Sequence, residues 1–495
     1  MSLARREFLS GTAVGVAGLV LPGCVTTNEA TGRRSYTVTF SVEDDIKLGR
    51  REHPKLVAAF GGEYENRRLQ RYVSSMGKSL ATHTEYQQFP YQFTVLNTPI
   101  VNAFALPGGY VYVSRGLFAL ASNEAELAGV VSHELGHVNA RHSAERMSAG
   151  QLASIGVFAG AIGASILGLP AQSIAQLGQT VAAMSIQSYS RKQEFEADTL
   201  GVRYMSRGGY DPNAMVTFLS TLREQSQVEA RSLGLEPGTV DKFNMMSTHP
   251  RTIDRVKAAM EHARVERAPN ATLARDRYLA TIDGILFGDD PAQGIVSGNT
   301  FVHPELRFRF AVPKDFRISN SRERVVAQNA KGYAIVFDFG KTQSNDMARH
   351  IRDEWAKDVE VAGLSRLKVD GAPAATGWTR LNGKRGQSDV RMLAIQRDRQ
   401  SAYRFMVMVP AGQTKAMNRS AEVVANSFET LSANEASRIK PLVLRVRPAG
   451  SNDSVSRLSK PLPYGQMNPA WFRVLNDLGP RQEPKRRQPI KVIST

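Results

Sequence analysis

Cysteine is almost missing from this sequence: among its 495 residues there is one, Cys24. The chain therefore cannot form an intramolecular disulfide, and its cores must be stable without one in any oxidising compartment. Acidic residues are also scarce, 46 against 63 Lys and Arg, which leaves a formal net charge of +17. Such a surplus favours anionic neighbours, among them phospholipid head groups and acidic polymers. We expect no nucleic-acid partner, because the start of the chain carries features of export.

The first residues have the layout of an export signal. The Arg5-Arg6 pair precedes an apolar run over residues 11–21, shorter than the ~20 residues that span a membrane. The pair resembles a twin-arginine signal, and Leu21-Pro22-Gly23-Cys24 resembles a bacterial lipoprotein box. This resemblance implies a lipid anchor at Cys24, and Val25 after it implies the periplasmic face of the outer membrane. The alternative is an uncleaved N-terminal anchor with an incidental cysteine.

A metal-binding pattern lies in the helical stretch over residues 123–148, which contains His133-Glu134-Leu-Gly-His137. Histidines four residues apart on a helix lie about 40° apart around it and about 6 Å along its axis, so both can face one metal ion. This is the H-E-x-x-H pattern of zinc peptidases. Zinc lowers the pKa of bound water toward ~7, and Glu134 would accept its proton as it attacks a peptide carbonyl. The alternative is a chance pattern on an ordinary helix.

The third ligand decides between these readings. The three-histidine pattern H-E-x-x-H-x-x-G-x-x-H requires a glycine where this chain has Ala140 and a histidine where it has Ser143. His142 is one position off and is expected to point elsewhere. The sequence therefore argues against a site with three histidines.

A site with two histidines and one glutamate takes its carboxylate from a second helix. Glu194 and Asp198 are one helical turn apart in the segment SRKQEFEAD, so both lie on the same face. Glu194 can bind the metal while Asp198 holds the distal nitrogen of His133 or His137. Glu196 points away from Glu194, and we expect it to face solvent or to form a salt bridge.

With NAFALPGGYVYVSRGLF before HELGH and SRKQEFEAD and STHP after it, residues 41–265 resemble the HtpX, BepA and CAAX prenyl protease family of gluzincins. The resemblance implies one Zn²⁺ per chain, bound by His133, His137 and Glu194, with Glu134 as the base. It also implies that an extended substrate pairs with an edge strand that contains Asn102, Ala103 and Phe104. Alternatively, Asn102 and Phe104 shape the turn and fill the core.

The STHP segment places one more histidine, His249, among the candidates. It resembles a loop histidine that occupies the fourth zinc position in BepA-like members and holds the enzyme closed. It could instead donate a hydrogen bond to the oxyanion of the tetrahedral intermediate, or cap a loop before Pro250. By position alone, Tyr189 and Arg251 are further candidate donors.

The helical and strand-like patterns in the rest of the sequence predict an α+β multidomain protein. The apolar, Gly- and Ala-rich residues 152–186 fit a buried or membrane-surface helical hairpin better than a membrane span. Residues 445–478 faintly resemble a LysM module, in which the Gly-Asp-Thr turn is replaced by Gly450-Ser451-Asn452-Asp453-Ser454. A small βααβ unit that only packs is the alternative.

The predicted parts are a signal (1–24), a tether (25–40), a mainly helical zincin-type peptidase domain with a small sheet (41–265), a helical linker (266–295), an α+β domain (296–435), a LysM-like unit (436–480) and a mobile basic tail (481–495).

We therefore predict a zinc-dependent endopeptidase, anchored by lipid at Cys24 in the cell envelope and exported by the twin-arginine route. The family resemblance implies misfolded or unassembled envelope proteins as substrates. The alternatives are a latent or weakly proteolytic, chaperone-like lipoprotein and a periplasmic protein that binds peptidoglycan through its C-terminal modules.

Overall fold

The structure, a computed structural model, describes residues 26–35, 41–148, 189–232, 253–262, 270–322, 324–383 and 386–495. The predicted signal with Cys24, the apolar segment 152–186, His249 and Arg251 lie outside these residues. Within the described part of the chain, none of the helices has both the length and the apolar character needed to cross a membrane.

The chain enters the described part through a small hairpin, β1 (Thr26–Thr27) and β2 (Arg34–Ser35). Between the strands, the side chain of Asn28 accepts hydrogen bonds from the backbone N–H groups of Ala30 and Thr31, which closes the turn. The prediction of a tether over residues 25–40 is wrong for this part. Asn28 and Ala30 are buried, and the Asn28 amide donates to the carbonyl of Asn139. The polar, turn-forming residues of this hairpin have the composition of a linker, and their burial is not visible in the sequence.

A small sheet follows two helices, α1 (Val42–Ala59) and α2 (Arg67–Ala81). Its strands are β3 (Gln92–Leu96), β4 (Ala103–Leu106) and β5 (Tyr110–Ser114), in the spatial order β3-β5-β4. Strand β5 pairs parallel to β3 and antiparallel to β4, which leaves β4 at an edge. The small sheet predicted for the peptidase domain is therefore present.

The helices described in the rest of this region share an apolar core with the sheet. The helices are α3 (Arg115–Leu120), α4 (Glu124–Asn139), α5 (His142–Ser148), α6 (Arg191–Arg207), α7 (Asn213–Ser232), α8 (Ile253–His262) and α9 (Arg275–Ile282).

An α+β domain with its own core comes next, and its strands span residues 295–430. A four-stranded sheet and a seven-stranded antiparallel sheet build it, in the orders β17-β9-β8-β7 and β10-β11-β12-β16-β15-β14-β13. Its core contains Phe301, Phe308, Phe310, Phe337 and Phe405. The strands are β7 (Ile295–Ser297), β8 (Thr300–His303), β9 (Phe308–Ala311), β10 (Arg317–Asn320), β11 (Val325–Gln328), β12 (Ala334–Lys341), β13 (Ala362–Val369), β14 (Ala372–Gly383), β15 (Gly386–Gln396), β16 (Ser401–Pro410) and β17 (Glu429–Thr430), and the helices are α10 (Met347–Arg349), α11 (Thr414–Ser427) and α12 (Ala433–Arg438).

The end of the chain returns to the first core. Strand β18 (Leu442–Pro448) pairs with the closing strand β19 (Pro489–Ser494) and with β6 (Leu286–Phe287), which precedes the α+β domain. In the chain, α13 (Val455–Leu458) and α14 (Asn468–Leu475) lie between β18 and β19. The apolar residues of this C-terminal unit belong to the same core as the helices that precede β6. The α+β domain is therefore an insertion between β6 and β18.

This topology corrects three predicted boundaries. The helical linker predicted over 266–295 contains α9 but also the strand β6, and the unit predicted over 436–480 extends to β19. The mobile tail predicted over 481–495 is wrong, because Ile490, Lys491 and Ile493 are buried. The basic residues before β19 obscure the apolar pattern of this strand, whose partner β18 lies far away in sequence.

Lys491 shows how tightly the end of the chain is held. Its ammonium group donates to the backbone carbonyls of Ala119, Leu120 and Ala121, at 2.9, 3.1 and 3.0 Å. These carbonyls lie at the C-terminal end of α3, where unsatisfied acceptors and the helix dipole favour a cation. Lysines are rarely buried without partners. Lys491 has three at the end of α3 and therefore anchors β19 to that helix.

Candidate metal centre

Helix α4 carries the HELGH segment through the middle of the core, and all of its residues are buried. The side chain of Asn123 caps its N-terminus by accepting from the N–H of Glu126. The carboxylate of Glu124 accepts hydrogen bonds from the hydroxyls of Tyr72 and Tyr210, both at 2.6 Å, and from Arg277. A buried carboxylate is costly unless it is paired in this way, so these bonds stabilise the position of α4.

Two glycines let α6 approach α4 closely. A Cβ atom at Gly136 would lie 2.6 Å from the carbonyl oxygen of Ala197, and one at Gly201 would lie 3.0 Å from the backbone of His133. Both distances are shorter than normal contacts of a Cβ atom, so the helices could not pack this closely with larger residues. The close approach brings Glu194 of α6 to the histidines of α4.

The side chains of His133, His137 and Glu194 converge in the core, and their nitrogen and oxygen atoms lie within 4.8 Å of one another. The two Nε2 atoms are 3.0 Å apart, and the Glu194 carboxylate lies 3.4 Å from His137 Nε2 and 3.8 Å from His133 Nε2. Atoms bound to tetrahedral zinc at ~2.0–2.1 Å are roughly 3.3 Å apart. The donor set and its spacing therefore fit a zinc ion.

Asp198 lies where the sequence placed it, beside one of the two histidines. Its Oδ1 is 2.8 Å from Nδ1 of His133. A neutral imidazole that binds metal through Nε2 carries its proton on Nδ1, so the carboxylate accepts this proton and holds the ring in the correct tautomer. The predicted choice between His133 and His137 is thus resolved in favour of His133.

His142 has a role that the sequence did not suggest. It supplies no metal ligand, but its Nδ1 lies 2.8 Å from Nδ1 of His137, and its Nε2 lies 3.2 Å from Glu196. Continuation of α4 would place His142 about 140° around the helix from His137. Instead α4 ends at Asn139 and Arg141 has a φ of +54°, which turns the chain back. Burial lowers the pKa of His142 below its usual value.

Arg255 is a second contact that the sequence did not indicate. It lies in α8. Its Nε donates to Asp198 at 2.7 Å, and its Nη2 donates to Glu194 at 3.0 Å. Its charge offsets two carboxylates that are fully buried. Nothing in the sequence of α8 distinguishes Arg255 from a surface arginine, and only the packing of α8 against α6 reveals its role.

Glu134, the predicted base, follows His133 on α4 and is buried, with 1% of its surface exposed. Tyr189, a candidate donor, stacks on His137 with ring centroids 3.9 Å apart. The predicted edge strand corresponds to β4, and a small cleft between β4 and the metal centre is lined by Ala105, His137 and Tyr189, among others.

The predicted residues of the edge strand have different surroundings. Ala103 and Phe104 lie in β4, and Asn102 immediately precedes it. Phe104 packs between Phe60 and Tyr112 and thus fills the core, as the alternative prediction held. The backbone of β4 lies at the edge of the sheet, where an extended peptide could pair with it.

A buried helix pair that presents two imidazoles and a carboxylate, with a glutamate between the imidazoles, defines a metallopeptidase site. Residues 65–263 match the family "Peptidase family M48". The chain therefore contains a metallopeptidase domain of family M48, which confirms the predicted HtpX- and BepA-like family.

Three curated relatives are similar to this region. The beta-barrel assembly-enhancing protease of Escherichia coli is 32% identical over 43% of this chain and 42% of its own length. The protein of that name from Yersinia pestis is 33% identical over 43% and 42%. Mitochondrial metalloendopeptidase OMA1 of Schizosaccharomyces pombe is 31% identical over 38% of this chain and 52% of its own length. This chain thus matches about half of each relative or less.

Among solved structures, the cyanobacterial PsbP protein of Synechocystis aligns with 29% of this chain and 98% of its own, at 12% identity and a TM-score of 0.22. This similarity is too low to bear on the fold or the function.

Proposed function

We propose that this protein is a zinc-dependent endopeptidase that cleaves proteins of the bacterial envelope. The observation that carries the proposal is the convergence of His133, His137 and Glu194 beside the buried Glu134. The similarity to a beta-barrel assembly-enhancing protease and to a mitochondrial metalloendopeptidase supports the same reaction.

A zinc ion at this site would supply a Lewis acid that polarises the peptide carbonyl and acidifies water. The residues of the chain do the rest. Glu134 accepts the proton of the attacking water and passes it to the departing amine nitrogen. Asp198 keeps the ring of His133 in its tautomer, and Arg255 holds the carboxylate of Glu194. The edge of β4 binds the substrate backbone in an extended conformation.

Location and control form a second part of the proposal. Cys24 would carry the lipid anchor that holds the protein at the periplasmic face of the outer membrane after twin-arginine export. Incorporation of labelled palmitate into wild type but not into Cys24→Ala supports this, and equal labelling contradicts it. His249 would close the site as a latch. Higher protease activity of His249→Ala supports the latch, whereas reduced activity favours the oxyanion role.

Peptidoglycan binding by the C-terminal unit remains a prediction that no observation favours. The turn Gly450–Ser454 is held by Asp453, which accepts hydrogen bonds from the N–H of Gly450 and from Arg447 and Arg457. The unit also shares the core of the peptidase region, so packing alone accounts for it.

The decisive experiment measures zinc content and cleavage together. We expect one zinc per chain in wild type and loss of that zinc in Glu194→Ala, because a two-ligand site binds zinc much more weakly. Glu134→Gln should retain zinc and lose casein cleavage by at least about 100-fold, since a general base contributes ~10²–10⁴ to the rate. Wild-type protein without zinc, or cleavage retained by Glu134→Gln, would refute the proposal.

A further inference from the structure

We propose that Arg33 of the N-terminal hairpin is a positioning residue for the metal centre, acting on His137 through Glu196 and His142. The proposal rests on the metal site of the proposed function, and it adds a part of the chain that lies outside the match to the peptidase family. That match begins at residue 65, whereas the hairpin spans residues 26–35.

The first step concerns the proton on His137. If Nε2 binds the metal, Nδ1 carries the proton and must donate it. Among the described residues, Nδ1 of His142 lies 2.8 Å away and can accept it. For its Nδ1 to accept this bond, the buried ring of His142 must carry its own proton on Nε2.

The second step fixes the tautomer of His142. Its Nε2 lies 3.2 Å from the Glu196 carboxylate, which only accepts hydrogen bonds when it is ionised. A Glu196 carboxylate that accepts from Nε2 therefore keeps the proton of His142 on the nitrogen that faces away from His137.

The third step is the role of Arg33. Its Nε lies 2.9 Å from one oxygen of Glu196, and its Nη2 lies 3.1 Å from the other. The same guanidinium donates to Glu145 of α5 at 2.7 Å. Arg33 thus bridges α6 and α5, the helix that begins with His142, and orients Glu196 toward His142.

The hairpin itself is fixed at the end of the metal-binding helix. The Asn28 amide donates to the carbonyl of Asn139, the last residue of α4, at 2.9 Å in a buried contact. The two ligands of α4 are therefore supported differently: Asp198 contacts His133 directly, whereas the carboxylate that serves His137 acts through a second imidazole and needs an arginine from the hairpin.

The test compares zinc affinities of the full chain by competition with a chromogenic chelator. Removal of an outer partner of a metal ligand typically weakens binding about 10–100-fold, so we expect Arg33→Gln to raise the zinc Kd about tenfold. Arg33→Lys, which keeps the charge, should recover most of this loss. The matched control is Arg203→Gln, because Arg203 pairs with Glu85 in the same region at a similar side-chain exposure, 33% against 29% for Arg33.

A second pair of variants tests the middle of the relay. His142→Leu leaves the Nδ1 proton of His137 without its acceptor and should weaken zinc binding at least as much as Arg33→Gln. His142→Asn places an amide oxygen near the former Nδ1 and should restore affinity in part. The absorption spectrum of the Co²⁺-substituted protein should change in Arg33→Gln and not in Arg203→Gln, since it reports ligand geometry rather than stability.

The proposal is overturned if Arg33→Gln binds zinc as tightly as wild type, or if Arg33→Lys binds as weakly as Arg33→Gln. It is also overturned if Arg203→Gln weakens zinc binding equally, because the effect would then be general destabilisation. Wild type that binds zinc and cleaves casein, combined with any of these results, leaves the proposed function intact and removes only this inference.

Discussion

The two cores of this protein treat ionisable groups in opposite ways. In the peptidase region, α4 and α6 bury His133, Glu134, His137, Glu194 and Asp198, each with at most 3% of its surface exposed. In the inserted α+β domain the core is aliphatic and aromatic, with a cluster of phenylalanine rings, and a buried charge such as Asp389 pairs with Arg380, whose side chain is 45% exposed.

The difference shows what each core is built for. Buried charge is costly unless partners and hydrogen bonds offset it, so the peptidase region contains many long-range polar contacts. An aromatic core needs none of these and gains stability from area and packing alone. We therefore expect mutations to affect stability mainly in the inserted domain and to affect metal binding mainly in the peptidase region.

The three tryptophans can report the two cores separately. Trp355 and Trp378 lie in the inserted domain, whereas Trp471 lies in the C-terminal unit that shares the peptidase core. Two background proteins are needed for the predictions below. In one, Trp355 and Trp378 are replaced by Phe so that only Trp471 fluoresces; in the other, Trp471 is replaced by Phe.

The largest effect is expected from Phe310→Ala. Phe310 is 1% exposed, and its ring packs on Phe301, Phe337 and Phe405. Loss of a buried phenylalanine costs about 3–5 kcal/mol, so the unfolding midpoint reported by Trp355 and Trp378 should fall. The zinc content and the Trp471 transition should stay as in wild type. Equal shifts in both transitions would show that the two cores unfold together.

Lys491→Met should destabilise the peptidase core by about 2 kcal/mol, because three buried carbonyls lose a charged donor. Denaturant unfolding followed by Trp471 measures the effect. Lys485→Met is the matched control, since Lys485 is exposed in the same segment and should have no effect. If both variants behave alike, β19 does not anchor the end of the chain.

Gly136→Ala tests whether the close approach of α4 and α6 matters for the metal. A Cβ atom 2.6 Å from the Ala197 carbonyl must separate the helices, at a cost of about 1–3 kcal/mol. Because the separation moves Glu194 away from the histidines, zinc affinity should fall as well. Gly479→Ala is the control, since its Cβ would meet nothing closer than 3.7 Å. Unchanged zinc affinity in Gly136→Ala would contradict this account of the site.

The smallest effect concerns acid stability of the inserted domain. Burial lowers the pKa of His303 to about 4, against 6.5 for an unperturbed histidine. Between these values the unfolded chain binds a proton that the folded domain does not, so stability decreases as the pH falls from 6.5 to 4. His303→Asn keeps an acceptor for the N–H of Leu306 and should reduce this loss. Identical pH profiles of the Trp355 and Trp378 signal would exclude His303 as the cause.

The sequence was least informative where distant segments meet. The residues KRR at 485–487 suggested a solvated tail, and the strand after them becomes visible only through its pairing with β18. The polar residues 26–35 suggested a tether, whereas their hydrogen bonds to Asn139 and to α5 and α6 show a docked hairpin. In both cases a short, basic or polar segment has too little pattern of its own to indicate a partner far away in sequence.

The candidate ligand set follows from local sequence pattern. His133, Glu134 and His137 share one helix and Glu194 and Asp198 another, and side-chain directions within a helix follow from its local period alone. Other contacts are visible only in the folded chain: Asp198 lies beside His133, His142 turns back to His137, and Arg33, Arg255 and Lys491 contact helices far from them in sequence. These contacts depend on how helices dock, which is set by packing over the whole core rather than by any local pattern.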